Sequence, residues 1–423
     1  MQENLNDISI LTHANDKMGW VTRLVATSLF EKIRDLRGGA FRVIWSGQTL
    51  VCGDQSSKNI IDIEIHDESF FFTLATRGSV GAGEAYMDGA WSTPNLVGAL
   101  RLILENYEIL ESMESGLVAL SRPLLATYHR FRKNTVSGSK KNISAHYDLS
   151  NEFFELMLDE TMMYSSGIYA SAETTLHEAS IAKLDAICQK LELGPDDHVL
   201  EIGTGWGGFA IHAAKNYGAR VTTTTISQEQ FRFAQKRVNE EGLQDRITLL
   251  LKDYRELEGT YDKLVSIEMI EAVGHHFYET FFEVCQARLK PEGAALIQAI
   301  TIADHVFEAA RDSVDFIKRY IFPGSCIPSV TALCQAASKA SDLKLFHLED
   351  IGEDYALTLL DWRERFFDRI EEVKALGFDE RFIRMWDFHL CYCVAGFQHR
   401  HISDVHMLMT RPHSRLTTPT KNT

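Results

Sequence analysis

The sequence has no run of about 18 apolar residues, so nothing in it reads as a membrane-spanning helix. Its first residues, Met1-Gln2-Glu3-Asn4, lack the charged start and apolar core of a signal peptide, and a cytoplasmic protein is expected. Basic residues are scarce beside acidic ones, 43 against 59, which leaves a net charge of −16 at pH 7. That balance argues against nucleic-acid binding, and no basic aromatic stripe offsets it. It still allows a local basic patch to meet anionic lipid. Cysteines are few and odd in number, seven, and only Cys391 and Cys393 are close neighbours, too sparse for a zinc site. Reduced thiols are expected. His275-His276, His399, His401 and His406 show no metal-ligand spacing either. What is present, 45% hydrophobic and 24% charged residues in a chain of 423, is ordinary for a globular protein of two or three domains.

The first 125 residues read as a small α+β domain. Trp20, Leu24, Val25, Phe30, Ile33 and Leu36 recur at helical spacing before Gly38-Gly39. Phe41–Trp45, Ile60–Ile65 and Phe70–Leu74 read as strands. The segment from Gly81 to Trp91 reads as a loop or helix start without evident chemistry, and Leu96 to Leu120 as an amphipathic helix. Residues 126–142 are the best linker. Arg130, Arg132, Lys133, Lys140 and Lys141 sit there with no acid among residues 128–141. They suit either lipid phosphates or a solvated connector. A second domain is expected over 143–412, with a flexible tail at 413–423.

In that second domain helix and strand patterns alternate. Strands are expected at His198–Ile202, Arg220–Thr224, Ile247–Leu251, Tyr261–Ile267 and Ala294–Ile300, with helices near 170–193, from Phe209 and from Gln228. Such alternation implies an α/β doubly wound sheet whose ligands lie outside the carboxyl ends of the strands. The first of these ends carries the densest motif: Glu201, then Gly203, Gly205, Trp206, Gly207 and Gly208, then a helical apolar pattern. Glycines there let a ligand lie against peptide groups at a helix N-terminus. The pattern also satisfies G-x-G-x-x-G, so the glycines alone do not name the ligand. Glu201 would repel a pyrophosphate but suits hydroxyls and a cationic centre, as in S-adenosylmethionine. The competing reading is a glycine-rich turn with no ligand.

Other strand ends carry candidates. Thr225-Ile226-Ser227 with Glu229-Gln230 follows the second strand, and Asp253-Tyr254 follows the third, placed for an adenine. Glu268 and Glu271 follow the fourth at i and i+3, on one helical face, for acid or base work. The bland alternative is a helix N-terminus whose carboxylates meet its dipole. Upstream, residues 146–169 are rich in aromatics and Met, suited to an apolar channel or to core.

Taken together, these blocks resemble the cyclopropane fatty acid synthase family, lipid-modifying methyltransferases that use S-adenosylmethionine. The resemblance runs from about His146 to Met409. Its blocks are H-Y-D-L-S-N at 146–151, Tyr164-Ser165, Glu201 to Gly208, Thr225 to Gln230, Asp253-Tyr254-Arg255, Glu271 with Val273-Gly274, 289–293, 318–324 and Asp354-Tyr355. It implies a class I methyltransferase-like sheet with an added helical cap over the lipid site. It implies further that Tyr164, Ser165, the glycine loop and residues 225–230 surround the cofactor. The implied substrate is an unsaturated acyl chain of a membrane phospholipid, reached from the inner membrane surface, with a homodimer as the expected assembly.

In the family the alkene attacks the cofactor's methyl group, and bicarbonate then removes a proton so that a cyclopropane ring closes. Tyr147, Tyr169, Tyr320 and Tyr355 are the rings expected to face the cation. The family holds bicarbonate with a Cys, a Glu, a His, a backbone group at an Ile and a Tyr. The matching positions here are Ser166, Glu271, Gln298, Ile300 and Tyr355, so the Cys and the His are replaced, and Ala272 stands where a His usually follows the Glu. Glu268 stands where the family commonly has a small residue, and a carboxylate there would compete with bicarbonate. Cys393 matches a family cysteine once regarded as catalytic, against which stands a buried structural thiol. The leading expectation is methyl transfer to phospholipid acyl chains with ring closure. Its rivals are a methylene- or methyl-branched product with Glu268 and Glu271 as base, a silent lipid- or cofactor-binding module, and a soluble small-molecule methyltransferase.

Overall fold

The computed structural model describes residues 19–108 and 149–417. The basic segment, Tyr147, the distal part of the expected helix at 96–120 and the end of the tail lie outside the described residues. The chain forms two compact units. The first joins the N-terminal residues to Ser313–Ile321 and Lys374–His399, and the second holds the rest of the chain after residue 130.

In the first unit, β1 (Ala40–Trp45), β2 (Gln48–Gly53), β3 (Ile60–Ile65) and β4 (Trp91–Ser92) form a sheet ordered β2-β1-β3-β4. Ser46 and Gly47 turn β1 into β2 with φ of 52° and 77°, the two left-handed residues that a tight hairpin requires. The expected strand at Phe70–Leu74 is instead the start of a helix, Ser69–Met87, which also takes in most of the segment from Gly81 read as a loop or helix start. The three phenylalanines explain the difference. In a strand Phe70 and Phe72 would share one face, but here adjacent Phe70 and Phe71 are both buried while Phe72 is 59% exposed. Phe71 packs 5.8 Å from Phe30 and 4.8 Å from Trp45, and this burial overrides the local β preference.

A continuous domain over 143–412 was expected, yet Ser313–Ile321 and Lys374–His399 pack with the first unit. The cause is the helix Glu380–Gln398. Its Phe388 stacks near Phe316 and Tyr86, and Tyr86 donates to Asp387 at 2.7 Å. A Cβ on Gly83 would sit 2.4 Å from the Phe316 ring, so only glycine permits this approach.

The second unit is built on a seven-stranded sheet. Its strands are β5 (His198–Ile202), β6 (Arg220–Thr225), β7 (Ile247–Leu251), β8 (Tyr261–Ile267), β9 (Leu289–Ile302), β10 (Lys344–Asp350) and β11 (Ile402–Thr410). The order is β10-β11-β9-β8-β5-β6-β7, parallel from β7 to β9, with β11 antiparallel between β9 and β10. This is the class I methyltransferase arrangement. Apolar clusters cover both faces, one around Phe281, Phe282 and Leu333, the other around Ile187, Phe209 and Leu296. Each such fully buried side chain contributes about 1.5–3 kcal/mol. The helices Asp304–Asp312, Val330–Ala340, Gly352–Asp368 and Ile370–Ala375 are added after β9.

Candidate active site

The order of strands reverses between β5 and β8, and the candidate residues gather at their carboxyl ends. Glu201 in β5 is 2% exposed, and its Oε2 receives no hydrogen bond from the described residues. Burial raises its pKa from the usual 4.5 to about 8. Beyond it Gly203, Gly205 and Gly207 adopt φ of 107°, 51° and 88°, and a Cβ on Gly205 would meet nothing within 4 Å. An orphaned buried carboxylate beside an open glycine loop at the start of helix Gly208–Tyr217 fits the ribose and methionine parts of S-adenosylmethionine.

The flanking cofactor candidates are ordered by their own contacts. Ser227 caps the helix Gln228–Glu240 through Gln230 N, and Thr225 donates to Gln230 Oε1 at 2.9 Å; Ile226, between them, is half-buried. Asp253 grips Arg255 through Nε and Nη2, both at 2.7 Å, and Arg255 lies over the Tyr254 ring. Trp206 donates to Asn151, and its ring lies 4.8 Å from Phe154. Tyr164 stacks on Trp362 at 5.0 Å and contacts Phe154 and Phe322, while Tyr355 meets Trp362 edge-on. An aromatic wall therefore joins the Tyr164 side of the site to Tyr355.

The most concentrated polar geometry surrounds Glu268. Its Oε1 accepts from Ser166 N at 2.8 Å and Gln298 Nε2 at 2.8 Å, and its Oε2 accepts from Tyr355 OH at 2.5 Å. Burial and the neighbouring Glu268 charge keep Tyr355 far above its ordinary pKa, so it remains a donor. Glu268 and Glu271 were expected on one helical face. Glu268 instead precedes the short helix Ile270–Val273 and has φ of 46°, a left-handed backbone that favours glycine. Its amide continues the β8–β9 ladder by donating to Gln298 O at 2.9 Å, and this registry turns the side chain among the donors.

Ile300 N, at the fourth expected position, donates to Glu271 Oε1, while Glu271 Oε2 is buried without a partner among the described residues. Burial, then the charge of Glu268, raises Glu271 to about 8, so it is an acid at neutral pH. The structure thus gathers Ser166, Glu268, Glu271, Gln298, Ile300 and Tyr355, but not around a free bicarbonate. Ser166 N, Gln298 Nε2 and Tyr355 OH already donate to Glu268, so the residues present do not fit that ion.

Three further candidates have contacts or surroundings of their own. Cys393 lies in the helix Glu380–Gln398 of the first unit, and burial pushes its thiol up to about 12, which makes it a poor nucleophile. Tyr320 also belongs to the first unit, where it hydrogen-bonds Glu84. Tyr169 is tied to Asp361 at 2.6 Å.

Residues absent from the sequence reading complete the site. Lys183, wholly buried, donates to Ser165 Oγ at 2.6 Å, and burial lowers its pKa to about 8 despite the surrounding Glu268, Asp404, Asp159 and Glu201. Asp404, also 0% exposed, accepts from Gln298 Nε2 at 2.7 Å. A lysine four residues from Ala179 and Ile187, on the buried stripe of helix Leu176–Lys190, was the available clue to Lys183.

Residues 135–407 match the family described as mycolic acid cyclopropane synthetase. The chain is 38% identical over 333 residues to the tuberculostearic acid methyltransferase of Mycobacterium tuberculosis, covering 77% of each. It is 38% identical over 345 residues to the cyclopropane-fatty-acyl-phospholipid synthase of Escherichia coli K12, covering 81% of this chain and 85% of that one. Among solved structures, a mycolic acid cyclopropane synthase complexed with SAH and CTAB superposes with a TM-score of 0.60 at 29% identity, over 64% of this chain and 98% of that one. The cyclopropane synthase MmaA2 of M. tuberculosis gives 0.59 at 28%, with the same coverage. The chain belongs to the mycolic acid cyclopropane synthetase family of S-adenosylmethionine-dependent lipid methyltransferases.

Proposed function

We propose that this enzyme transfers a methyl group from S-adenosylmethionine to the double bond of unsaturated phospholipid acyl chains, with cyclopropane as the leading product, and that Glu268 takes the proton released. The observation that carries this reading is the convergence of three donors on the Glu268 carboxylate beside the Tyr164–Trp362–Tyr355 wall. S-adenosylmethionine supplies an electrophilic methyl group. Glu201 and the backbone of the glycine loop hold its polar parts, with Tyr164, Ser165, Trp206, Thr225–Gln230 and Asp253-Tyr254 around them. Aromatic faces stabilise the cation formed on the acyl chain, and burial keeps water from it. Glu268 then accepts a proton from that cation within the same enclosed site.

The names of two relatives bear on the product, one a cyclopropane synthase and the other a tuberculostearic acid methyltransferase. A base fixed to the chain, rather than a diffusible ion, also favours a second reading in which a proton leaves without ring closure. The membrane-surface location rests on the basic segment at 130–141, and among the described residues no helix is long and apolar enough to cross a membrane. Purified enzyme, S-adenosylmethionine and vesicles of unsaturated phospholipid test the proposal. Mass spectrometry should show one added CH2 per modified chain, and NMR should show ring protons. Exomethylene protons would replace the first reading by the second, and formation of S-adenosylhomocysteine without lipid would overturn both.

A further inference from the structure

One amide nitrogen serves two buried carboxyls. Gln298 Nε2 lies 2.8 Å from Glu268 Oε1 and 2.7 Å from Asp404 Oδ2, so both of its protons are committed. Asp404 Oδ1 has no donor among the described residues. The strand register explains the juxtaposition, because Asp404 on β11 faces Ile300 on β9 and His406 faces Gln298. We propose that Asp404 is a positioning residue for the reaction: it forms with Glu268 a carboxyl pair that shares one proton, and so keeps Glu268 ionised at a pH where a lone buried carboxyl would be protonated.

The inference rests on Glu268 as the proton acceptor. Two ionised carboxylates around one amide nitrogen, both out of water, would repel strongly. The cations and acids facing them do not remove this conflict. Lys183 approaches from helix Leu176–Lys190, but it also faces Glu201 and Asp159. Glu271 adds a third carboxyl from its short helix, Tyr355 from helix Gly352–Asp368 is a neutral donor, and His406 beyond Gln298 is neutral. A single proton on the Asp404 side resolves the repulsion and leaves Glu268 as the charged member of the pair. Burial and the Glu268 charge hold Asp404 well above the ordinary carboxyl range, in agreement.

The orientation of Gln298 is itself fixed from farther out. Its Oε1 lies 3.3 Å from His406 Nε2, and His406 Nδ1 lies 2.6 Å from Lys190 Nζ. A lysine ammonium only donates, so Nδ1 accepts, the proton sits on Nε2, and the glutamine oxygen must face the histidine. Lys190 is anchored in turn by Glu349. A flipped amide would point its oxygen at both carboxyls, and this chain of contacts forbids it.

The proton balance is simple. Before methyl transfer the pair holds one proton and one negative charge. Glu268 takes a proton from the cationic chain, and the electrons of the broken C–H bond form the new carbon–carbon bond. The pair then holds two protons and no charge, and it returns one to water before the next turnover.

Turnover of the full chain with S-adenosylmethionine and unsaturated phospholipid vesicles, followed against pH, tests the pairing. Asp404→Asn should shift the acid limb of kcat upward by about one pH unit or more and lower kcat, with KM for the vesicles unchanged. Infrared spectra of the wild type at pH 7 should show carboxylic-acid carbonyl absorbance beyond that of the protonated Glu201 and Glu271, and Asp404→Asn should remove that excess. An unmoved acid limb in a folded Asp404→Asn variant overturns the pairing, and so does a wild type whose carboxylic-acid absorbance at pH 7 corresponds to Glu201 and Glu271 alone, whether or not the variant folds. Glu268→Gln separates the two ideas: near-normal turnover there removes Glu268 as base, whereas loss of turnover beside an unshifted Asp404→Asn profile removes the pair alone.

Discussion

Glu201 and Glu268 are buried carboxylates at the ends of neighbouring strands, and their surroundings are opposite. Glu201 has an oxygen without a partner and an open glycine loop in front of it. Glu268 has three donors and a left-handed backbone that carries it into them. A carboxylate left unsatisfied is built to receive hydroxyl donors from a ligand. One already satisfied is held in a fixed place, where it acts on what arrives. Under the proposed function, the difference separates binding from proton transfer at the carboxyl ends of one sheet.

The sharpest way to break this contrast is to empty the Glu268 position. Glu268→Gly should lower kcat by about 10²–10⁴, the usual worth of a placed base, while affinity for S-adenosylmethionine stays within a few fold. Added bicarbonate or formate should then recover part of the rate, because Ser166 N, Gln298 Nε2 and Tyr355 OH are freed for a small anion. Rapid turnover without any added anion would sink the assignment. The next largest effect should belong to Glu201→Gln, measured by calorimetry as cofactor affinity weakened about 10- to 100-fold, the loss of a charge-assisted hydrogen bond. In the wild type that affinity should rise as pH rises toward about 8, where the unliganded Glu201 ionises. A pH-independent affinity would contradict its role.

The two halves of the site also differed in how far residues alone revealed them. The parallel strands and the glycine loop were legible because apolar runs, turn glycines and helix starts have local patterns. Strands β10 and β11 were not. Lys344–Asp350 is a largely exposed edge of mixed polarity, and Ile402–Thr410 contains Asp404 and His406, whose polarity interrupts the strand pattern although both are fully buried. The same residues form the outer half of the base site, so missing the strand meant missing the chemistry. Glu268 was visible as an unusual acid, but its partners lie 30 to 102 residues away and only the fold brings them together. Phe70–Leu74 failed for the converse reason: a β-prone run was claimed by a helix because two adjacent rings had core to fill.

Glu271 gives the smallest and most discriminating effect. Its pKa of about 8 makes it a neutral acid at pH 7, and Gln is close in shape to a protonated Glu. Glu271→Gln should therefore cost less than about ten-fold in kcat, far below Glu268→Gly. A loss equal to that of Glu268→Gly would move the base to Glu271. Stability carries the same sign. Glu201 and Glu271 have folded pKa values raised above the unfolded 4.5, so the native state binds extra protons between roughly 4.5 and 8. Their contribution is full below the unfolded pKa and is lost as pH rises through the folded one. The melting temperature of the ligand-free enzyme should fall across that window, and saturating S-adenosylmethionine should flatten the part due to Glu201 while leaving the part due to Glu271. Equal flattening of both would mean that the cofactor reaches Glu271 as directly as it reaches Glu201, and the contrast between the two strand ends would be gone.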